Sequence, residues 1–69
     1  MSEIAEQVGQ LIREARKAKG LTQSELAEQL GISVSTVNKY EKDSQNLTIN
    51  TLKKIASALK LKLNISLTE

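Results

Sequence analysis

The stretch Gln23-Ser24-Glu25-Leu26-Ala27-Glu28-Gln29-Leu30-Gly31-Ile32-Ser33-Val34-Ser35-Thr36-Val37-Asn38-Lys39-Tyr40-Glu41-Lys42 decides the fold. It reads as two short helices joined by a tight turn. Thr22, with Glu25 three residues later, forms a capping box that starts the first helix. Gly31 supplies the left-handed conformation that ends it. Ser33 caps the second helix, from Val34 to about Glu41. Small Ala27 lets the two helices approach. Leu26, Leu30, Ile32, Val37 and Tyr40 are spaced to bury one side of the pair. These are the requirements of a helix-turn-helix, a motif that lays its second helix in the major groove of DNA.

Working outward, a preceding helix is expected from Ser2 or Glu3 to Lys19. Ile4, Val8, Leu11, Ile12 and Ala15 recur at the spacing of one buried face. Gly9 weakens this helix by about 1 kcal/mol relative to alanine. Gly20 follows a basic last turn and reads as its C-terminal cap. On the other side, Lys42 to Leu47 is a polar loop. Thr48 or Asn46 caps a fourth helix, whose apolar stripe is Ile49, Leu52, Ile55, Ala56 and Leu59. The expected fold is all-α, a compact four-helix DNA-binding domain occupying residues 1–69.

The pattern changes at residue 60. Leu61, Leu63, Ile65 and Leu67 alternate with Lys60, Lys62, Asn64, Ser66 and Thr68. That period of two predicts a strand with one wet face. A lone strand exposes unpaired backbone groups, and pairing with the same strand of a second subunit satisfies them. The competing reading is a frayed extension of the fourth helix.

Bulk properties bound the function. Sixty-nine residues allow one small core, and so short a scaffold is often helped by oligomerisation. The chain has no cysteine and no histidine. Disulfides and the usual zinc ligand sets are therefore excluded, and no cofactor is expected. The acidic start Met1-Ser2-Glu3-Ile4-Ala5-Glu6 does not read as a signal peptide, so none is expected there, and no apolar run has membrane-spanning length. A cytoplasmic location is expected. The net charge of +2 is modest, but Lys39, Lys42, Lys53, Lys54, Lys60 and Lys62 gather in the second half, so a locally basic face is available. No glycine-rich phosphate loop or activated nucleophile is recognisable, so an enzyme is not expected.

With Val37 and Tyr40 turned inward, Val34, Ser35, Asn38, Lys39 and Lys42 lie outward. Ser35 and Asn38 suit hydrogen bonds to base edges, Lys39 a guanine or a phosphate, and Val34 a thymine methyl. Thr22 and Gln23 sit at a helix start, where free amides attract phosphate. Gln23 is also placed to brace the recognition helix. Ser33 and Thr36 are further candidate phosphate contacts, and Lys42, Ser44, Gln45 and Asn46 either touch the sugar-phosphate backbone or form an ordinary polar loop. Arg16 and Glu41 are the notable charged residues. The pattern alone leaves them as two unconnected surface charges.

At Leu21-Thr22-Gln23-Ser24-Glu25-Leu26-Ala27, Gly31-Ile32-Ser33, Val37-Asn38-Lys39-Tyr40-Glu41 and Leu52 to Leu59 the chain resembles the Cro/C1-type (XRE) helix-turn-helix family of phage and bacterial regulators. The resemblance covers about residues 8–59. It implies a helical bundle that binds double-stranded operator DNA as a homodimer, and an internal ion pair between Arg16 and Glu41. Gln23 would contact phosphate, and Val34, Ser35 and Lys39 would face bases. Many members continue into a fifth helix, where this chain has Leu61-Lys62-Leu63-Asn64-Ile65-Ser66-Leu67. That ending, with no proline in Asn46-Leu47-Thr48, resembles the HipB-type antitoxins. Their paired C-terminal strands imply a dimer that represses its own operon and binds a HipA-like kinase toxin. Ser33-Val34-Ser35 departs from the Lys-Gln pair of the HipB pattern, so the operator sequence does not transfer.

The leading expectation is a dimeric, sequence-specific repressor acting on a palindromic operator, with an antitoxin role. The alternatives are a stand-alone XRE or phage-type regulator, a toxin-neutralising interaction module, and an adaptor with a vestigial motif.

Overall fold

Each capped helix begins where a hydroxyl answers its free amides. Thr22 Oγ1 accepts from the Glu25 N–H at 3.0 Å, and Glu25 Oε1 accepts from the Thr22 N–H at 2.9 Å. Ser33 Oγ accepts from the Thr36 N–H, and Thr48 Oγ1 from the Thr51 N–H, both at 3.1 Å. The resulting elements, in a computed structural model that describes residues 3–68, are α1 (Glu3–Ala18), α2 (Gln23–Leu30), α3 (Val34–Lys42) and α4 (Ile49–Ala58). Thr48, and not Asn46, caps α4. Ser2 as a possible start of α1 lies outside the described residues.

The ends of α1, α2 and α4 follow one pattern, whereas α3 ends on extended Asp43, whose N–H donates to the Lys39 carbonyl. Gly20 and Gly31 adopt φ of 72° and 69°. The next N–H in each case reaches back to a carbonyl five residues earlier, Leu21 to Arg16 and Ile32 to Ala27. This is the Schellman arrangement. The end of α4 repeats it without glycine. Lys60 has φ of 58° and the Leu61 N–H donates to the Ala56 carbonyl at 2.8 Å. The chain is turned out of the helix there, so the tail is not a continuation of α4.

Ile12, Leu26, Ala27, Val37, Ile55 and Leu59 form the buried core, with Val8, Ala15, Leu21, Leu30, Ile32, Tyr40, Leu47 and Leu52 packed around it. α1 and α2 pack on α3, and α2 also packs on α4. The buried face of α1 differs from the expected one. Ala5, Gly9, Ile12 and Arg16 are buried, whereas Ile4 and Leu11 are 70% and 63% exposed. The face is rotated because α1 meets α3 through a glycine backbone and an ion pair rather than through its largest apolar side chains. Ile49 is also exposed, at the first turn of α4.

Among the described residues there is no strand, and 61–68 carry no helix either. A strand is defined by its ladder partner, and a single copy of this tail offers none. Leu61, Leu63 and Ile65 instead border a shallow apolar cleft of about 450 Å³ shared with Val8 and Leu11 of α1 and Ile49 and Leu52 of α4. No helix of the described residues is long and apolar enough to cross a membrane.

Candidate nucleic-acid interface

The site is built on a buried charge cluster. Arg16, in the last turn of α1, directs its guanidinium into the gap between α2 and α3. Its Nε and Nη2 donate to Glu41 Oε2 and Oε1 at 2.7 and 3.2 Å, and its Nη1 donates to the Leu21 carbonyl at 2.7 Å. Gln23 Nε2 donates to Glu41 Oε1 at 3.1 Å and to Asn38 Oδ1 at 3.4 Å. One carboxylate therefore joins the end of α1, the first residue of α2 and the last turn of α3. Both charges are buried together and hydrogen-bonded, which offsets the desolvation that an isolated ion would suffer. Among the described residues no buried side-chain polar atom lacks a partner.

This cluster sets what α3 presents. Val34, Ser35, Lys39 and Lys42 are exposed, Thr36 and Asn38 half-buried, and Val37 buried. Positions 34, 35, 38, 39 and 42 share one face of the helix. Lys39 and Lys42 lie in its last turn, where cations also complement the helix dipole. Ser33 is exposed beside this face, and its hydroxyl lies 2.8 Å from Thr36 Oγ1.

Several candidate residues have prior commitments. The amide protons of Gln23 point inward to Glu41 and Asn38, so its backbone N–H, free of any intrahelical acceptor, is the donor left for an anion. The Asn38 carbonyl is taken by Gln23, leaving its amide nitrogen. Ser44 is not a contact surface. It is 8% exposed, and its hydroxyl and N–H both donate to the Ala5 carbonyl, at 2.8 and 3.3 Å. Lys42 is exposed at the end of α3, and Gln45 and Asn46 are exposed in the loop that follows. Asp43 Oδ1 shapes the loop by accepting from the Gln45 N–H at 3.0 Å.

Thr22 is exposed at the mouth of the site, its hydroxyl engaged in the capping box. Its N–H, and then its hydroxyl, hold the Glu25 carboxyl below its ordinary range. Among the described residues no group of acidic side chains is arranged to hold a metal ion.

The pattern of sequence missed two positions behind the site. Gly9 was legible only as a helix-weakening residue, although a glycine inside a helix also signals a close backbone approach. Ser44 reads from its polar loop as open to phosphate, and nothing local signals its true partner, which is 39 residues away.

A helix-turn-helix family model matches residues 12–66, a span that contains α2, the Gly31 turn and α3. The chain belongs to the Cro/C1-type (XRE) helix-turn-helix family of transcriptional regulators. Antitoxin HipB of Escherichia coli strain K12 is 34% identical over 59 residues, covering 86% of this chain and 67% of HipB. The regulator SinR of Bacillus subtilis strain 168 is 36% identical over 63 residues, covering 90% of this chain and 57% of SinR. The chain thus spans about two thirds of one of these relatives and little over half of the other. Among solved structures, the restriction-modification controller protein C.AhdI from Aeromonas hydrophila superposes with a TM-score of 0.81 at 34% identity, over 88% of this chain and 92% of that one. The XRE-type chain therefore shares its fold with a controller protein and its sequence pattern with regulators of more than one kind.

Proposed function

We propose that this chain is a sequence-specific repressor that binds a palindromic operator as a homodimer. The observation that carries the reading is the Arg16–Glu41–Gln23 cluster. It fixes α3 against α2 while Val34, Ser35 and Lys39 remain exposed on the opposite face. In this reading Val34, Ser35, Asn38 and Lys39 meet base edges, Asn38 through its amide nitrogen. Thr22, Ser33, Thr36, Lys42, Asn46 and the Gln23 N–H meet phosphates. The tail strands, through Leu61, Leu63, Ile65 and Leu67, pair across the two-fold axis. The two recognition helices then lie one helical turn apart, roughly 34 Å. The protein acts in the cytoplasm, where its operator is.

The reading extends to the antitoxin of a HipB/HipA-like operon, with a HipA-like kinase as partner. The alternating tail and the similarity to HipB support it. The similarity to SinR supports a stand-alone regulator instead, and a kinase-like gene next to this one separates the two.

A titration of fluorescent duplex, carrying a sequence that the protein selects from a random pool, tests the core of the proposal. Ser35→Ala and Lys39→Ala should each weaken binding, by about 1–3 kcal/mol where a base contact is lost. Each phosphate contact should add about −0.9 to the slope of log affinity against log salt. A slope near zero, or unchanged affinity in both variants, overturns the reading.

A further inference from the structure

α1 supports α3 from behind at two points. The first is Gly9. A β-carbon built there would lie 2.5 Å from the Glu41 carbonyl oxygen, and 3.0 Å from both the Glu41 carbonyl carbon and the Tyr40 carbonyl oxygen. All three are backbone atoms, so no side-chain rotation relieves the clash. The second is the loop just after α3, where Ser44 Oγ and N both donate to the Ala5 carbonyl. Ala5 and Gly9 are four residues apart, one above the other on the same face of α1. The last turn of α3 and the loop that leaves it are therefore held against one short ridge.

We infer that Gly9 and Ser44 are positioning residues for operator recognition: they hold the C-terminal end of α3 down on α1 and so set the angle at which Ser35 and Lys39 are presented. This rests on the DNA-binding reading above. The two residues touch no DNA. Adding a methyl group at residue 9 requires the end of α3 to retreat by about 0.9 Å to reach ordinary contact at 3.4 Å. The Ser33 cap, at the far end of α3, stays in place. The result is a tilt, which moves the base-facing Asn38 and Lys39, and the phosphate-facing Lys42, more than Val34 and Ser35. A phosphate contact by a flexible lysine tolerates such a tilt, and base readout by several residues at once does not. Specificity should therefore suffer more than affinity for DNA in general.

The test uses the full chain. Gly9→Ala is compared with wild type in binding to a duplex that the wild type selects from a random pool and to a random duplex of equal length. The ratio of the two affinities should fall on the order of tenfold, as for one mismatched base pair. A merely structural role lowers both affinities together through the folded fraction and leaves the ratio unchanged, which overturns the inference. Ser44→Ala keeps the Ser44 N–H bond and loses the hydroxyl bond. It should shift the ratio in the same direction by less, and it carries the test if Gly9→Ala does not fold. Amide spectra of the free proteins provide a DNA-independent arm. Shifts should run through Tyr40 and Lys42 and fade towards Val34, and shifts confined to α1 overturn the inference. If the wild type prefers no duplex over random DNA, the DNA-binding reading fails, and the amide shifts alone decide whether Gly9 and Ser44 set α3.

Discussion

Gln23 Nε2 donates to the same Glu41 oxygen, Oε1, that receives Arg16 Nη2, at 3.1 and 3.2 Å respectively. The first residue of α2 and the last turn of α1 thus converge on one anion carried by α3. Geometry of this kind specifies an orientation. Two helices that met only through Leu26 and Val37 would slide with little change in buried area, whereas hydrogen bonds to one carboxylate fail over a fraction of an ångström.

Arg16→Ala leaves the Glu41 carboxylate buried without its cation. The expected cost is about 3–5 kcal/mol, since the stranded charge retains its desolvation penalty. Replacing both partners by apolar residues, Arg16→Met with Glu41→Leu, removes that penalty and should recover most of the loss. Urea unfolding followed by circular dichroism measures both. Equal destabilisation of the single and double variants would contradict the account.

Glu25 links stability to pH. The Thr22 N–H, and then the Thr22 hydroxyl, hold its carboxyl below the ordinary value of 4.5 in the folded chain. A group depressed on folding contributes stability that is fully present above its unfolded value and is lost as pH falls through its folded one. Glu25→Gln should therefore lower the melting temperature at neutral pH, and the gap to wild type should narrow below pH 4.5. Thermal melts at neutral pH and near pH 3 check this, and an equal gap at both would refute it.

The features legible in the sequence are those whose partners are neighbours. Thr22 with Glu25, Ser33 with Thr36, and Gly31 with the carbonyls of α2 act within one turn, so residue type and spacing reveal them. Val37 and Leu26 are legible because a core face repeats. Long-range contacts are different. Gly9 against Glu41, and Ser44 against Ala5, depend on where α1 crosses α3, which no local pattern encodes. The same crossing turned the buried face of α1 towards Ala5 and Gly9. Hydrophobic size alone favours Ile4 and Leu11 instead. Alternation places Lys60 on the wet face of a strand, and nothing about a lysine announces a left-handed turn.

Two residues in left-handed conformation give opposite expectations. Gly31 has no atom within 4 Å of a β-carbon built upon it, so Gly31→Ala suffers from backbone strain alone. The loss should be about 1–2 kcal/mol, with Gly31→Asn milder because asparagine tolerates this region. Lys60 already bears that strain at φ of 58°. Lys60→Gly relieves it and should stabilise the chain by a smaller margin, of roughly 0.5–1 kcal/mol, because glycine also favours the unfolded state. Chemical denaturation of the three variants decides the signs, and a destabilised Lys60→Gly would show that the lysine side chain contributes there.

The tail separates folding from assembly. Leu67 is 99% exposed and Ile65 63% exposed in a single copy. Replacing them costs a monomer little, because Leu67 has almost no area, and Ile65 only a minor part, removed from water. If strands pair across a two-fold axis, the same side chains are buried in the dimer. Ile65→Lys with Leu67→Lys should then convert a dimer into a monomer in sedimentation, with the helical circular dichroism unchanged. Cutting the chain after Leu59 is the harsher version. It also removes the Leu61 N–H that closes α4 on Ala56, so it should lose helix as well as the dimer. A double-lysine variant that remains dimeric would refute the paired strands and turn attention to the cleft beside Leu11 and Ile49.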